Sequence, residues 1–259
     1  MSPLQRVALV TGASGGIGAA IALHLAQRGA FVLVTSRRAA RCRVVCGEIA
    51  AAGGQADALE LDVADADSVR TLPERIAATD APGPVQWLVN NAGVAESAPL
   101  LGAPAEVADE LSTRLLEVNY HGPRRLTQAL APGMVEAGYG RVVNVASSAG
   151  LRGYAYVADY CASKHALVGL TRAAALELGP KGVLVGAVCP HYVDTPMTAE
   201  SIRRVVEKTG KSEVEARRFF EQQNPGGRLV TAYEVADAVA SLCEGEENGT
   251  LIELDGSPT

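Results

Sequence analysis

Short runs of β-branched and apolar residues recur along this chain, and a longer Ala- and Leu-rich stretch follows most of them. Val7–Thr11, Phe31–Thr35, Ala56–Leu61, Val85–Asn90, Arg141–Ser147, Val183–Cys189 and Gly249–Leu254 read as seven strands. Most are apolar along their length and do not alternate, as expected of strands covered on both faces of a parallel sheet. Gly16–Arg28, about Ala39–Ala52, Ser68–Ala78, about Ala105–Pro123, Arg124–Ala137 and Asp159–Leu178 read as the intervening helices. Gly29 and Gly53-Gly54 stop the first two, and Asp65 can cap the third. Regular β-α alternation predicts an α/β fold with a doubly wound parallel sheet.

A chain of 259 residues suits one core, and its 48% hydrophobic residues are spread along the whole length. One domain, 1–259, is expected, without extensive disorder. The net charge of −6 comes with no Lys/Arg block, which argues against a nucleic-acid partner. No apolar run approaches the roughly 18 residues of a membrane span. The N-terminus reaches the first strand without a charged leader. The five cysteines are odd in number and form no C-x-x-C pair, so a reduced, cytoplasmic setting is expected. Cys42 and Cys46 share a helix face and read as small helix residues; no metal site is expected.

In a doubly wound sheet, ligands sit beyond the carboxyl ends of the strands. After the first strand comes Thr11-Gly12-Ala13-Ser14-Gly15-Gly16-Ile17-Gly18. Glycines there allow a tight turn and a close backbone approach to phosphate, and the next helix offers free N–H groups to an anion. After the second strand, Ser36 stands where an NAD-preferring fold places a carboxylate, and Arg37 follows. A guanidinium suits a ribose 2′-phosphate, so NADP(H) is the expected cofactor. Asp62-Val63, after the third strand, suits an adenine contact, with a turn cap as the other reading of Asp62. Asn90-Asn91-Ala92-Gly93 lets backbone pass beside a flat ligand. Tyr160 lies thirteen residues beyond Ser147, and Lys164 lies one helical turn further. A tyrosine titrates near 10 when unperturbed, and a nearby ammonium favours its phenolate.

Taken together, Thr11-Gly12-x-x-x-Gly16-Ile17-Gly18, Asn90-Asn91-Ala92-Gly93, Asn119, Ser147, Tyr160-x-x-x-Lys164, Cys189-Pro190 and Thr195-Pro196-Met197 resemble the short-chain dehydrogenase/reductase family, over essentially the whole chain. The resemblance implies a single Rossmann domain with a seven-stranded parallel sheet. It implies an oxidoreductase with Asn119, Ser147, Tyr160 and Lys164 as catalytic residues. Tyr160 would donate or accept the proton, Ser147 would polarise the carbonyl oxygen, and Lys164 would hold the nicotinamide ribose and tune Tyr160. Asn119 would position a relay water. The cofactor would rest on Gly12, Ser14, Gly16, Ile17, Gly18, Ser36, Arg37, Asp62, Val63, Asn91, Ala92 and Gly93, with Tyr160, Lys164, Pro190, Val193 and Thr195 at its nicotinamide end.

His191 departs from the pattern, standing where a glycine usually follows Cys189-Pro190; it reads equally as a substrate contact or a loop residue. Gly186 and Ser257 also depart from it. Residues 198–228 carry two short amphipathic segments, with a capping box at Ser212-x-x-Glu215, and read as a substrate lid or a fixed flap. In overall pattern the chain is similar to 3-oxoacyl-thioester reductases and polyketide ketoreductases. That similarity implies a small-molecule carbonyl or alcohol substrate, with a carrier-protein or coenzyme A thioester left open. Lys181 matches a basic docking position, Gly138 stands where another is usual, and Arg124 and Arg125 either compensate or are solvated. The family also implies a homotetramer or homodimer, through the Tyr160 helix and the one before it. Two other readings remain: a dehydrogenase working in the oxidative direction, and a non-catalytic nucleotide-binding subunit that need not keep the four catalytic residues.

Overall fold

The computed structural model describes residues 5–102 and 104–258. Its sheet runs through β1 (Val7–Thr11), β2 (Phe31–Ser36), β3 (Gln55–Glu60), β4 (Trp87–Asn90), β5 (Gly140–Val145), β6 (Val183–Pro190) and β7 (Leu251–Leu254). The strands are parallel, in the order β3-β2-β1-β4-β5-β6-β7. The order reverses between β1 and β4, which opens a crevice at their carboxyl ends.

The helices are α1 (Gly16–Gln27), α2 (Ala39–Ala51), α3 (Ala66–Arg70), α4 (Leu72–Ala77), α5 (Ala105–Leu116), α6 (Gly122–Glu136), α7 (Ala158–Leu178), α8 (Pro196–Thr209), α9 (Glu213–Gln223) and α10 (Ala232–Glu244). Successive β1 side chains face opposite ways. Ala8 and Val10 join Ile21 and Leu25 of α1 and Val235 and Val239 of α10 on one face. Val7 and Leu9 join Leu72 and Ile76 of α4 and Leu126 and Leu130 of α6 on the other. All five β1 residues are therefore buried, which is why the run contains no polar alternation.

Two helix assignments change. The helix expected over Ser68–Ala78 is divided into α3 and α4, with Pro73 in the first turn of α4. A proline is tolerated there and not in a helix interior. The boundary expected at Pro123 is absent. A π-helical turn, Glu117–His121, joins α5 to α6 without a loop, and Pro123 falls in the first turn of α6. Gly186 lies under α10, where a Cβ would stand 3.2 Å from Leu242 Cδ1. Among the described residues, no helix is long and apolar enough to cross a membrane, and no cluster of His, Cys, Asp or Glu could hold a metal.

α8 and α9 form an excursion from the carboxyl end of β6. Thr195 caps α8, Gly210 ends it in the left-handed region at φ +68°, and the Ser212/Glu215 capping box starts α9. Ile202, Ala216, Phe220 and Leu229 are buried together beneath the two helices. Val193 and Val230 form an isolated parallel bridge that closes the base of the excursion.

Candidate active site

The glycine turn and the Asn90–Gly93 loop interlock. Thr11 Oγ1 accepts from Asn91 N and Ala92 N, both at 2.9 Å, while Asn91 Nδ2 donates to Thr11 O at 2.8 Å. Gly12 adopts φ +63°, and a Cβ there would stand 2.9 Å from Ala92 Cα. At Gly18 a Cβ would meet Asn91 Nδ2 and Gly12 O at 2.5 Å each. Glycine is required at both positions by packing alone.

The N-terminus of α1 is open to a ligand. Its N-cap residue is Gly15, no side chain caps it, and its first turn carries no acidic residue. A Cβ on Gly15 would meet nothing within 4 Å. Ser14 and Ile17 flank this opening. Uncapped N–H groups at a positive dipole end fit a pyrophosphate. Ser36 ends β2 with its Oγ accepting from Arg38 N at 3.2 Å and lying 3.0 Å from Cys42 Sγ. Arg37 and Arg38 are exposed beside it. Asp62 does cap a turn, accepting from Ala64 N at 3.0 Å, and Val63 is buried against Gly122. An uncapped helix N-terminus and a nearby exposed guanidinium are features that fit a dinucleotide on this side of the crevice.

Asn119 is fully buried on the π turn. Its Nδ2 donates to Val94 O at 2.9 Å and to Ser163 Oγ at 3.0 Å, and its Oδ1 accepts from Val94 N at 2.9 Å. Both amide hydrogens are thus spent on protein. Ser163 Oγ in turn donates to Tyr160 O at 2.8 Å. Ser163 lies between Tyr160 and Lys164, and nothing in the local sequence pattern marks it as part of this group. Gly93 brings the Asn90–Gly93 loop against this group: a Cβ there would stand 3.2 Å from Asn119 Oδ1 and 3.5 Å from Lys164 Nζ.

Ser147 follows β5 and caps a short 3₁₀ turn, with its Oγ accepting from Ala149 N at 3.1 Å. Burial raises the Tyr160 pKa above its ordinary value, against the opposing pull of the Ser147 hydroxyl. This reverses the direction expected from the sequence. Lys164 Nζ lies 5.9 Å from the Tyr160 ring centroid and donates to Val145 O at 3.0 Å. Burial lowers the Lys164 pKa to about 8, with Cys189 opposing that shift. Burial thus pushes both groups toward their neutral forms.

At the end of β6, Pro190 is followed by His191, whose side chain is buried against Glu253 and so makes no wall of the crevice. Thr195 Oγ1 donates to Val193 O at 3.4 Å while capping α8. Tyr192 is held at its backbone by Asn224: Tyr192 N donates to Asn224 Oδ1 at 3.0 Å, and Asn224 Nδ2 donates to Tyr192 O at 2.9 Å. No periodicity or motif in the sequence singled out Asn224. Arg125, one of the basic residues considered for docking, is committed to Glu117 at 2.8 Å and to Ala64 O at 3.3 Å.

The family model described as short chain dehydrogenase matches residues 6–205. A Streptomyces coelicolor protein provisionally named a ketoacyl reductase is 42% identical over 240 residues, covering 92% of this chain and 90% of its own. A 3-oxoacyl-[acyl-carrier-protein] reductase of Pseudomonas aeruginosa is 36% identical over 242 residues, covering 93% and 91%. Among solved structures, a variant of actinorhodin polyketide ketoreductase with NADPH superposes with a TM-score of 0.90 at 37% identity, covering 99% of this chain and 98% of its own. With its sheet order, its glycine turn and its Tyr160/Lys164 pair, the chain belongs to the short-chain dehydrogenase family and is an oxidoreductase of that family.

Proposed function

We propose that this enzyme reduces a ketone to a secondary alcohol with NADPH, and that Tyr160 supplies the proton. The observation that carries this reading is the placing of Asn119 and Lys164 against Gly93, with the Tyr160 ring beside Lys164 and the N-terminus of α1 left open. The names of its relatives support the ketone, and the NADPH in the actinorhodin structure supports the cofactor.

When bound, NADPH supplies the hydride. The uncapped N–H groups of α1 would hold the pyrophosphate, Arg37 would meet the 2′-phosphate, and Asp62 and Val63 would border the adenine. Asn91, Ala92 and Gly93 would pass beside the cofactor, and Pro190, Val193 and Thr195 would border its nicotinamide end. Ser147 donates to the substrate oxygen. Tyr160 delivers its proton to the same oxygen as negative charge develops there. A phenol with an ordinary pKa near 10 is already protonated at neutral pH and so can give its proton. Lys164 holds the ribose hydroxyls and stabilises the phenolate left behind. Both amide hydrogens of Asn119 are engaged, so a relay water there would need another partner than that amide N–H. Residues 198–228 act as the substrate lid, hinged at the Val193–Val230 bridge. The exposed small-residue face of α7 and the exposed Leu176 suit a homodimer or homotetramer.

The test is NADPH oxidation by the wild type and by Tyr160→Phe, against ketones that include acetoacetyl-CoA and bulky cyclic ketones. The expected result is turnover by the wild type and a loss of about a thousandfold in kcat for the variant, with NADPH binding unchanged. A variant with near wild-type kcat overturns the assignment of Tyr160.

A further inference from the structure

Three side chains far apart in sequence meet just behind the candidate active site. His191 Nε2 donates to Glu253 Oε1 at 2.8 Å, and the His191 side chain is only 2% exposed. Arg152 donates through its guanidinium to the same Glu253 oxygen. Glu253 lies on β7, the edge strand, directly opposite Cys189 of β6. Cys189 follows Val188, whose carbonyl accepts from Ala146 N at 2.8 Å, one residue before Ser147. The carboxylate is therefore one residue layer from the reacting groups without touching them.

The two partners of Glu253 belong to the two loops that border the substrate side. Arg152 follows the 3₁₀ turn that Ser147 begins. Two residues on, Tyr154 donates through Oη to Ser148 Oγ at 3.0 Å. His191 immediately precedes Tyr192, which stacks edge-on against Phe220 of α9 with centroids 5.0 Å apart. Tyr154 is thereby tied to the residue after Ser147, and Tyr192 lies two residues beyond Pro190 at the carboxyl end of β6. Two aromatic side chains thus stand on the loops that border the candidate site, and each loop is bonded to one carboxylate.

We propose that Glu253 is a positioning residue, yoking Arg152 to His191 so that the loops bearing Tyr154 and Tyr192 keep one separation and present one face of a prochiral ketone to the hydride. The carboxylate accepts from a guanidinium on one loop and an imidazole on the other, and charge-assisted bonds of this kind hold geometry more tightly than neutral ones. The imidazole is also the reason a residue with a side chain replaces glycine after Pro190. It supplies the second arm of the yoke, directed away from the crevice.

This inference rests on the proposed ketone reduction. Its test is the enantiomer ratio of the alcohol made from a prochiral ketone that the wild type turns over, for Glu253→Ala, Arg152→Ala, His191→Gln and the Arg152→Ala/His191→Gln double variant. The ratio does not depend on how much enzyme is folded, so it separates positioning from mere stability. Glu253→Ala should reduce the ratio about tenfold, by freeing both loops, with the KM for NADPH unchanged. Arg152 is exposed enough for its truncation to leave the fold intact. The two arms act through one carboxylate, so the double variant should lose no more selectivity than the worse single variant. Glu253→Gln, which still accepts from His191, should recover part of the loss. Unchanged ratios in every variant, or losses that add in the double variant, overturn the yoke. A wild type that reduces no ketone overturns the functional reading itself, which is a separate outcome.

Discussion

At the carboxyl ends of β1 and β4 two stretches of backbone are bonded directly through Thr11 and Asn91, with no room for a methyl group at Gly12 or Gly18. Beyond β6 the chain leaves the sheet for α8 and α9 and returns at Val230. There it is held by the Asn224 clasp, an exposed Arg217–Asp194 ion pair and a four-residue apolar cluster. The first region approaches its ligand with main chain, which tolerates little substitution. The second approaches with side chains on short helices, which can be exchanged without moving the sheet. On the proposed function, the cofactor is held by the first region and the substrate is chosen by the second.

The sharpest way to break this comparison is Gly18→Ala. The new methyl would stand 2.5 Å from both Gly12 O and Asn91 Nδ2, so either the turn or the Asn90–Gly93 loop must shift. A displacement of about 1 Å beside the cofactor should weaken NADPH binding about a hundredfold. Fluorescence titration checks it. Unchanged binding would mean that the nucleotide side is no more rigid than the lid.

Arg37→Asp tests the same side where side chain, not backbone, makes the contact. Arg37 is exposed at the end of β2, and a carboxylate there would repel a 2′-phosphate while accepting from a 2′-hydroxyl. The ratio of kcat/KM for NADPH over NADH should fall at least about tenfold, with the fold and the ketone KM unaltered. A wild type that prefers NADH in competing assays would remove Arg37 from the cofactor site.

The same division explains what was legible in the sequence. Gly12, Gly18, Asn91 and Tyr160-x-x-x-Lys164 were readable because backbone approach and helical spacing demand particular residues at short range. The π turn was not readable: one added residue barely disturbs a 3.6-residue period, and Pro123 suggested a boundary that α6 absorbs in its first turn. The direction of the Tyr160 shift was missed because spacing reports that a lysine is near, but not that both groups are desolvated. Asn224 and the Glu253 pairings join residues distant in sequence, and no local pattern marks them. The lid helices were legible through Gly210 and the Ser212/Glu215 box, since caps are local.

Asn224→Ala probes the substrate side and should have the smallest effect on turnover. Asn224 is 2% exposed, and its side chain serves three backbone groups: Tyr192 N, Tyr192 O and Arg228 O, the last accepting from Nδ2 at 2.7 Å. Truncation leaves those groups without their partner, at a cost of ~1–3 kcal/mol in stability. The sheet and the glycine turn lie outside the clasp, so the KM for NADPH should hold. Tyr192 O also accepts from Val230 N at 3.0 Å, so the loop keeps a partial anchor. The ketone KM should therefore rise about fivefold, equivalent to ~1 kcal/mol, while kcat stays within about twofold because Ser147, Tyr160 and Lys164 are not in contact with the clasp. Steady-state kinetics with each substrate varied in turn separates the two constants. An equal rise in both KM values would show that the lid and the cofactor side move as one body, and the division between the two regions would fail.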